Sequence, residues 1–449
     1  MSIPSRSSRH IVALLAVLVA ACTGNPDQVP DSGSDGDAIT PPDGDLADDA
    51  MTDDIMTDDV MTDDGTELDP LALYTQGHEF FNGTGKIALR GVGHMHDHDD
   101  LSGWWSGPGE TWTAVGRWET DTARLTERID ANLRAIKTWG GNSLRVFMAV
   151  NWWWEDRINP HLRFGEGPDQ EMSYRDYFEL LAERAEREGV YVIFCPYQLR
   201  SEMDGGGGGI PVEGGVDEVG TAVLDQITTG DPTYLEPMRR FWESVSQRLG
   251  QHPGIIFEIW NEPDSTEPAV KTAWFTHQIE MYKTIRETSD NVVLLAWRMG
   301  AVPTWQEELS WVPSLHQQLR DALGQEPLNV AYDFHAYRHS WNHPWGTDYT
   351  TVMTQLTSDT WLPQTRSATV DVPVVCAETG MFLVTPDPDD EHGWWDALLR
   401  SLGELDVGYV GYYWTDGRVQ ETGLFEDWPV DQPAPSPSVA GQIYLDNVP

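Results

Sequence analysis

The chain has 449 residues, of which 73 are Asp or Glu and 28 are Lys or Arg, giving a formal net charge of −45 at pH 7. Such a charge repels a phosphate backbone, which excludes nucleic acid as a partner. With 40% hydrophobic residues, 21 Trp and three Cys, the composition is that of a large globular domain and excludes a disulfide scaffold.

The N-terminus reads as a targeting segment. Arg6 and Arg9 precede an apolar stretch from Ile11 to Ala21, well short of the roughly 20 residues that cross a bilayer, as in a secretory signal. It ends Val19-Ala20-Ala21-Cys22, which resembles the bacterial lipoprotein box. That resemblance implies that residues 1–22 carry the signal, that Cys22 becomes the acylated first residue, and that the protein is secreted and lipid-anchored at the cell envelope, on the outer membrane or cell surface. Thr23 to Pro70 holds 16 Asp or Glu and no Lys or Arg, and MTDDIMTDDVMTDDG repeats one five-residue unit. So little apolar surface cannot offset chain entropy, and self-repulsion keeps residues 23–70 an extended, disordered tether. A calcium-binding repeat is the alternative, but the unit lacks the glycine turns of calcium loops. Taking the tether's 16 acidic residues and the signal's two arginines out of −45 leaves −31 on residues 71–449. Such a surface serves solubility and salt adaptation equally.

Eight short β-rich runs follow: Ile87 to Gly93, Ser143 to Val150, Val190 to Pro196, Ile255 to Ile259, Val292 to Trp297, Val330 to Phe334, Val374 to Ala377 and Gly408 to Trp414. Most are continuously apolar, and amphipathic stretches such as Thr120 to Trp139, Tyr174 to Glu188 and Thr233 to Leu249 separate them, as expected of helices covering a parallel sheet. Residues 71–449 are therefore expected to form one (β/α)8 TIM barrel. A doubly wound sheet is the competitor, but no Gly-rich phosphate turn follows the first strand.

In such barrels chemistry collects at the carboxyl ends of the strands. The fourth strand runs GIIFEIWNEPDS, placing Asn261 and Glu262 just past a buried run, and the seventh, VPVVCAETG, places Glu378 likewise. A carboxylate there is costly unless paired, hydrogen-bonded or functional, so two at corresponding places point to a working pair. With Arg145 on the second strand, His335 and Tyr337 on the sixth and Trp414 on the eighth, the pattern resembles glycoside hydrolase family five, the cellulase-like branch of the barrel glycosidases, over roughly residues 80–430.

The resemblance implies a retaining glycosidase that needs no cofactor, with Glu262 as general acid/base and Glu378 as nucleophile. It assigns substrate-binding roles to Arg145, Asn261, His335, Tyr337 and Trp414. Arg145 and Tyr337 donate to Glu378, Asn261 holds the sugar 2-hydroxyl, His335 lies near the acid/base, and Trp414 forms the floor under the ring at the cleavage point. His94 ends the first strand where the family commonly has a substrate-contacting His. At the third strand Tyr197 and Gln198 replace the usual His, which leaves the sugar open.

The His94, His96, His98 cluster also fits the metal pair of an amidohydrolase barrel, with His335 and Asp416 at later positions, but Asn-Glu stands where that class has Lys. A non-catalytic sugar-binding barrel is the third reading. Trp104, Trp105, Trp152 to Trp154, Trp341 and Trp345 lie in strand-end loops where flat rings could stack on pyranoses, Trp152 among the binding residues, whereas Trp394 and Trp395 read as buried. The Gly-rich Ser201 to Gly220 is either a lid over the cleft or a surface insertion. Cys195 and Cys376 read as small buried hydrophobes, able to bond only if their Cα atoms lie within about 7 Å. The expected partner is a β-linked polysaccharide, β-1,4-glucan first and β-mannan second, acted on by a monomer.

Overall fold

The structure is a computed structural model that describes residues 69–94, 122–150, 153, 156, 158–163, 171–197, 211–212, 215–216, 235–261, 263, 268–297, 308–338, 346–381, 388–412, 414, 423–427 and 433–448. Cys22, the tether up to residue 68, His96, His98, Trp104, Trp105, Trp152, Trp154, Gln198, Glu262, Trp341, Trp345 and Asp416 lie outside them. Of the Gly-rich loop only Pro211–Val212 and Gly215–Val216 are described, paired antiparallel.

The apolar runs become eight parallel strands: β1 (Arg90–His94), β2 (Ser143–Ala149), β3 (Tyr191–Tyr197), β4 (Ile255–Glu258), β5 (Val293–Ala296), β6 (Val330–Ala336), β7 (Val374–Thr379) and β8 (Gly408–Tyr412). Each pairs with its chain neighbours and β8 pairs with β1, closing the expected barrel. Helices α1 (Thr122–Thr138), α2 (Tyr174–Glu188), α3 (Leu235–Leu249), α4 (Pro268–Arg286), α5 (Val312–Leu323), α6 (Tyr349–Leu356), α7 (Pro388–Glu404) and α8 (Val439–Asn447) follow the strands in turn. Among the described residues no helix is long and apolar enough to cross a membrane.

Local chemistry sets the helix limits. In α2 the Ser173 hydroxyl accepts the Asp176 amide while the Asp176 carboxylate accepts the Ser173 amide, so two otherwise orphaned donors are satisfied together. Gly189 ends the helix at φ 69°, a left-handed conformation that costs glycine nothing.

Alternation along each strand divides the interior into two cores. Residues such as Leu144, Val146 and Met148 face the helices, where Trp394 and Trp395 are fully buried as expected. Inside the barrel, Leu89, Tyr191, Ile193, Ile256, Val292, Leu294, Ala331, Val375, Ala377 and Val410 pack together with Leu73 and Phe80. Phe80 belongs to a small antiparallel sheet, Tyr74–Gln76, Glu79–Asn82 and Gly85–Ile87, that plugs the barrel at the strands' amino ends. This explains why the first strand starts later than expected: Ile87 pairs with Phe80 in the plug, and β1 begins only at Arg90. With the amino end filled by hydrocarbon, polar side chains gather at the carboxyl end.

Candidate active site

Arg145 is at the centre of that end. It projects inward from β2 because its neighbours Leu144 and Val146 face the helices, and it is 2% exposed. An ionised guanidinium so deep needs partners for its donors. Its Nε and Nη2 donate to Glu258 Oε2 and Oε1, both at 2.6 Å, and its Nη1 donates to Glu378 Oε2 at 2.6 Å. Nη2 also reaches Asn261 Oδ1 at 3.0 Å and Cys195 Sγ at 3.3 Å, and the guanidinium carbon lies 4.8 Å from the Phe147 ring centre. Burial works against this cation, but Glu258, Cys195 and Glu378 more than offset it and hold Arg145 well above the ordinary guanidinium range.

Glu378 reaches the pocket through an irregularity in β7. Val375 and Ala377 face the interior, so strict alternation would send Glu378 out toward the helices. Phe334 pairs with Cys376 but the next residue, His335, pairs with Glu378, a β-bulge that turns Glu378 inward after Ala377. The bulged Ala377 amide donates to Asp333 Oδ1 at 3.0 Å. At the pocket, the Tyr337 hydroxyl donates to Glu378 Oε1 at 2.6 Å, and His335 Nδ1 lies 3.9 Å from the same oxygen.

Beneath them lie two fully buried groups whose protons respond to that burial. Desolvation pushes His335 down to about 4, so its imidazole is neutral at neutral pH. Desolvation and the nearby Glu258 charge push the Asp333 carboxyl well above its ordinary range, which favours its protonated form. Burial opposes the Glu258 charge as well, but Arg145 outweighs it and holds Glu258 below the usual carboxylate range.

Of the expected site residues, the structure brings Arg145, Asn261, His335, Tyr337 and Glu378 into one cluster. Asn261 also donates its amide to the Pro196 carbonyl at 3.3 Å, tying the end of β4 to β3. Its neighbour Glu262 and the aromatic Trp152 lie outside the described residues, as does the side chain of His94, the last residue of β1. Trp153 packs in the outer core against Phe178 and Phe241.

Trp414 requires a correction. β8 ends at Tyr412, and Trp414 is 1% exposed, set between Trp139 and Phe425 with its indole N–H donated to Asn132 of α1. Its place is thus in the layer between barrel and helices, not under a bound sugar. The aromatic that β8 presents at the pocket is Tyr412, half-buried, with its ring centre 6.4 Å from that of Tyr337. Gly93 makes room for it, since a Cβ there would come within 3.1 Å of the Tyr412 ring.

Sequence reasoning missed Glu258, Asp333 and Cys195. Cys195 and Cys376 are unbonded and buried, but Cys195 is more than a small hydrophobe: its thiol donates to Glu258 Oε1 at 3.1 Å. By distance alone, Glu258, Asp333 and His335 could hold a cation among the described residues. Both Glu258 oxygens already accept from Arg145, so the donor set faces a guanidinium and is poorly matched to a second positive charge.

A family model described as cellulase (glycosyl hydrolase family 5) matches residues 107–418. Among solved structures, the chain is similar to a β-mannanase from Streptomyces thermolilacinus with mannohexaose, at 18% identity over 84% of this chain and 94% of that one, TM-score 0.50. It is similar to the catalytic domain of a mannanase from Streptomyces sp. SirexAA-E at 16% identity over 84% and 91%, TM-score 0.50. For the catalytic domain of a Thermobifida fusca endoglucanase the identity is 17% over 84% and 97%, TM-score 0.48. At these identities, what the two mannanases share with this chain is the fold. No curated protein matches the sequence.

Proposed function

This chain belongs to the cellulase family, glycosyl hydrolase family 5, and from that premise we propose that it hydrolyses a β-1,4-linked glucan, or failing that a β-mannan, by double displacement. It is a glycoside hydrolase.

One observation carries the assignment: a single guanidinium, that of Arg145, joins Glu378 at the end of β7 to Asn261 at the end of β4, the residue before Glu262. Glu378 attacks the anomeric carbon as the glycosidic C–O bond breaks, and Glu262 gives its proton to the departing oxygen. Glu262 then takes a proton from water, whose oxygen displaces Glu378 and frees the sugar with its configuration retained. Arg145 and Tyr337 hold the Glu378 oxygens, which limits the carboxylate's motion before attack. The neutral His335 beside them adds no positive charge to compete for the nucleophile.

Glu378→Ala is expected to abolish hydrolysis of an activated aryl β-glycoside, and azide or formate to restore part of it; normal turnover by the variant would reject the nucleophile. Reducing-sugar release and product analysis on cellulose, mannan, xyloglucan and β-1,3-glucan decide the sugar. Export is part of the same proposal. The mature chain is expected to begin at a lipid-modified Cys22, and mass spectrometry finding an unmodified N-terminus elsewhere would remove the anchor.

A further inference from the structure

We propose that Glu258 is a positioning residue that clamps Arg145 and shares its charge, so that the guanidinium presents one edge to Glu378 in a fixed orientation. The inference deepens the reading above and rests on Glu378 being the nucleophile.

The geometry makes the clamp. Glu258 occupies the Nε and Nη2 edge of the guanidinium with two parallel bonds of 2.6 Å, the bidentate arrangement that fixes a plane as well as a distance. Cys195 closes one corner by donating to Glu258 Oε1 and accepting from Arg145 Nη2, and the Phe147 ring covers the guanidinium. What remains is Nη1, which points at Glu378 Oε2. An unclamped Arg would have rotamer freedom to lose each time the site assembled, and here the scaffold has already fixed it.

Charge points the same way. Glu378 is negative before attack and loses that charge as the ester forms, so a cation devoted to it alone would stabilise the ground state more than the transition state. A second carboxylate on the far edge of Arg145 divides the cation's pull. Stability gives little reason to keep such a group, because a buried ion pair often does no better than a packed hydrophobic pair. Glu258 is 0% exposed in a strand whose other residues, Ile255, Ile256 and Phe257, are all apolar.

The test is a double-mutant cycle of Glu258→Gln and Arg145→Lys in the full chain, with kcat and KM measured on an activated aryl β-glycoside and folding followed by urea unfolding. Gln turns an acceptor into an NH2 group facing Arg145 and removes the charge. It is expected to lower kcat by about 30- to 100-fold while KM stays within about threefold. The double variant is expected to be no slower than the slower single variant, because both changes act through one contact. Unchanged kcat in folded Glu258→Gln, or losses that multiply in the double variant, would overturn the clamp. If Glu258→Gln does not fold, Glu258→Asp keeps the charge at shorter reach and enters the same cycle with a smaller expected loss. The two failures are distinguishable: an active Glu378→Ala removes the nucleophile, whereas an inactive Glu378→Ala beside an additive cycle removes the clamp alone.

Discussion

His335 and Asp333 share the inner face of β6, and burial moves their protons in opposite directions. Unfolded, a His binds a proton below about 6.5; folded, His335 does so only below about 4. Between those values the unfolded chain holds more protons, so His335 costs stability as pH falls through that window, on the order of 3 kcal/mol in full. In urea unfolding at pH 7 and near pH 4, His335→Asn should lack this component of the acid loss; an equal slope in both proteins would contradict it. Asp333 works at the other end. Its carboxyl is held well above the usual range when folded while the unfolded chain gives up that proton above about 4, so its cost grows as pH rises. Asp333→Asn, which can still accept the Ala377 amide, is expected to raise the melting temperature more at pH 8 than at pH 5. Two buried carboxylates of the site escaped the sequence reading for a physical reason. Glu258 and Asp333 lie within strands whose apolar character announces burial, and nothing in a linear pattern shows which cation a buried carboxylate meets. Glu378 and Asn261 were legible because they follow apolar runs at strand ends, and Arg145, His335 and Tyr337 because they fit the family's pattern.

At the scale of the element, the eight strands and their helices were readable because continuous apolar runs and amphipathic stretches alternate so regularly. The errors lie at strand ends and irregularities. Trp414 still donates its amide to the Gly93 carbonyl of β1, but its indole turns to Trp139 and Phe425 and so away from the pocket. Trp414→Phe is therefore expected to lower the melting temperature while leaving kcat/KM within about threefold, whereas Tyr412→Ala should reduce kcat/KM more than stability. The reverse pattern in steady-state kinetics and thermal melts would restore Trp414 to the pocket. The bulge in β7 was equally hidden, since no motif marks where a register slips. Its extra amide, that of Ala377, is satisfied by Asp333. Asp333→Ala orphans that N–H at about 1–3 kcal/mol, and because the same bulge aims Glu378, kcat should fall with it; a variant with unchanged kcat would separate the two.

Across the whole molecule, stability and chemistry are placed at opposite ends of the barrel. Leu73 and Phe80 seal the amino end with hydrocarbon, and the charged groups lie at the carboxyl end. Phe80→Ala is expected to cost about 3–5 kcal/mol in unfolding free energy with kcat of the folded enzyme unchanged; a matching fall in kcat would show that the plug supports the site. The pocket also draws on both halves of the chain. Arg145, Cys195, Glu258 and Asn261 come with β2 to β4, while His335, Tyr337 and Glu378 come with β6 and β7. A polypeptide severed between β4 and β5 would leave two silent fragments, one keeping the cation and the other its anion, and hydrolysis returning on mixing would signal their reunion.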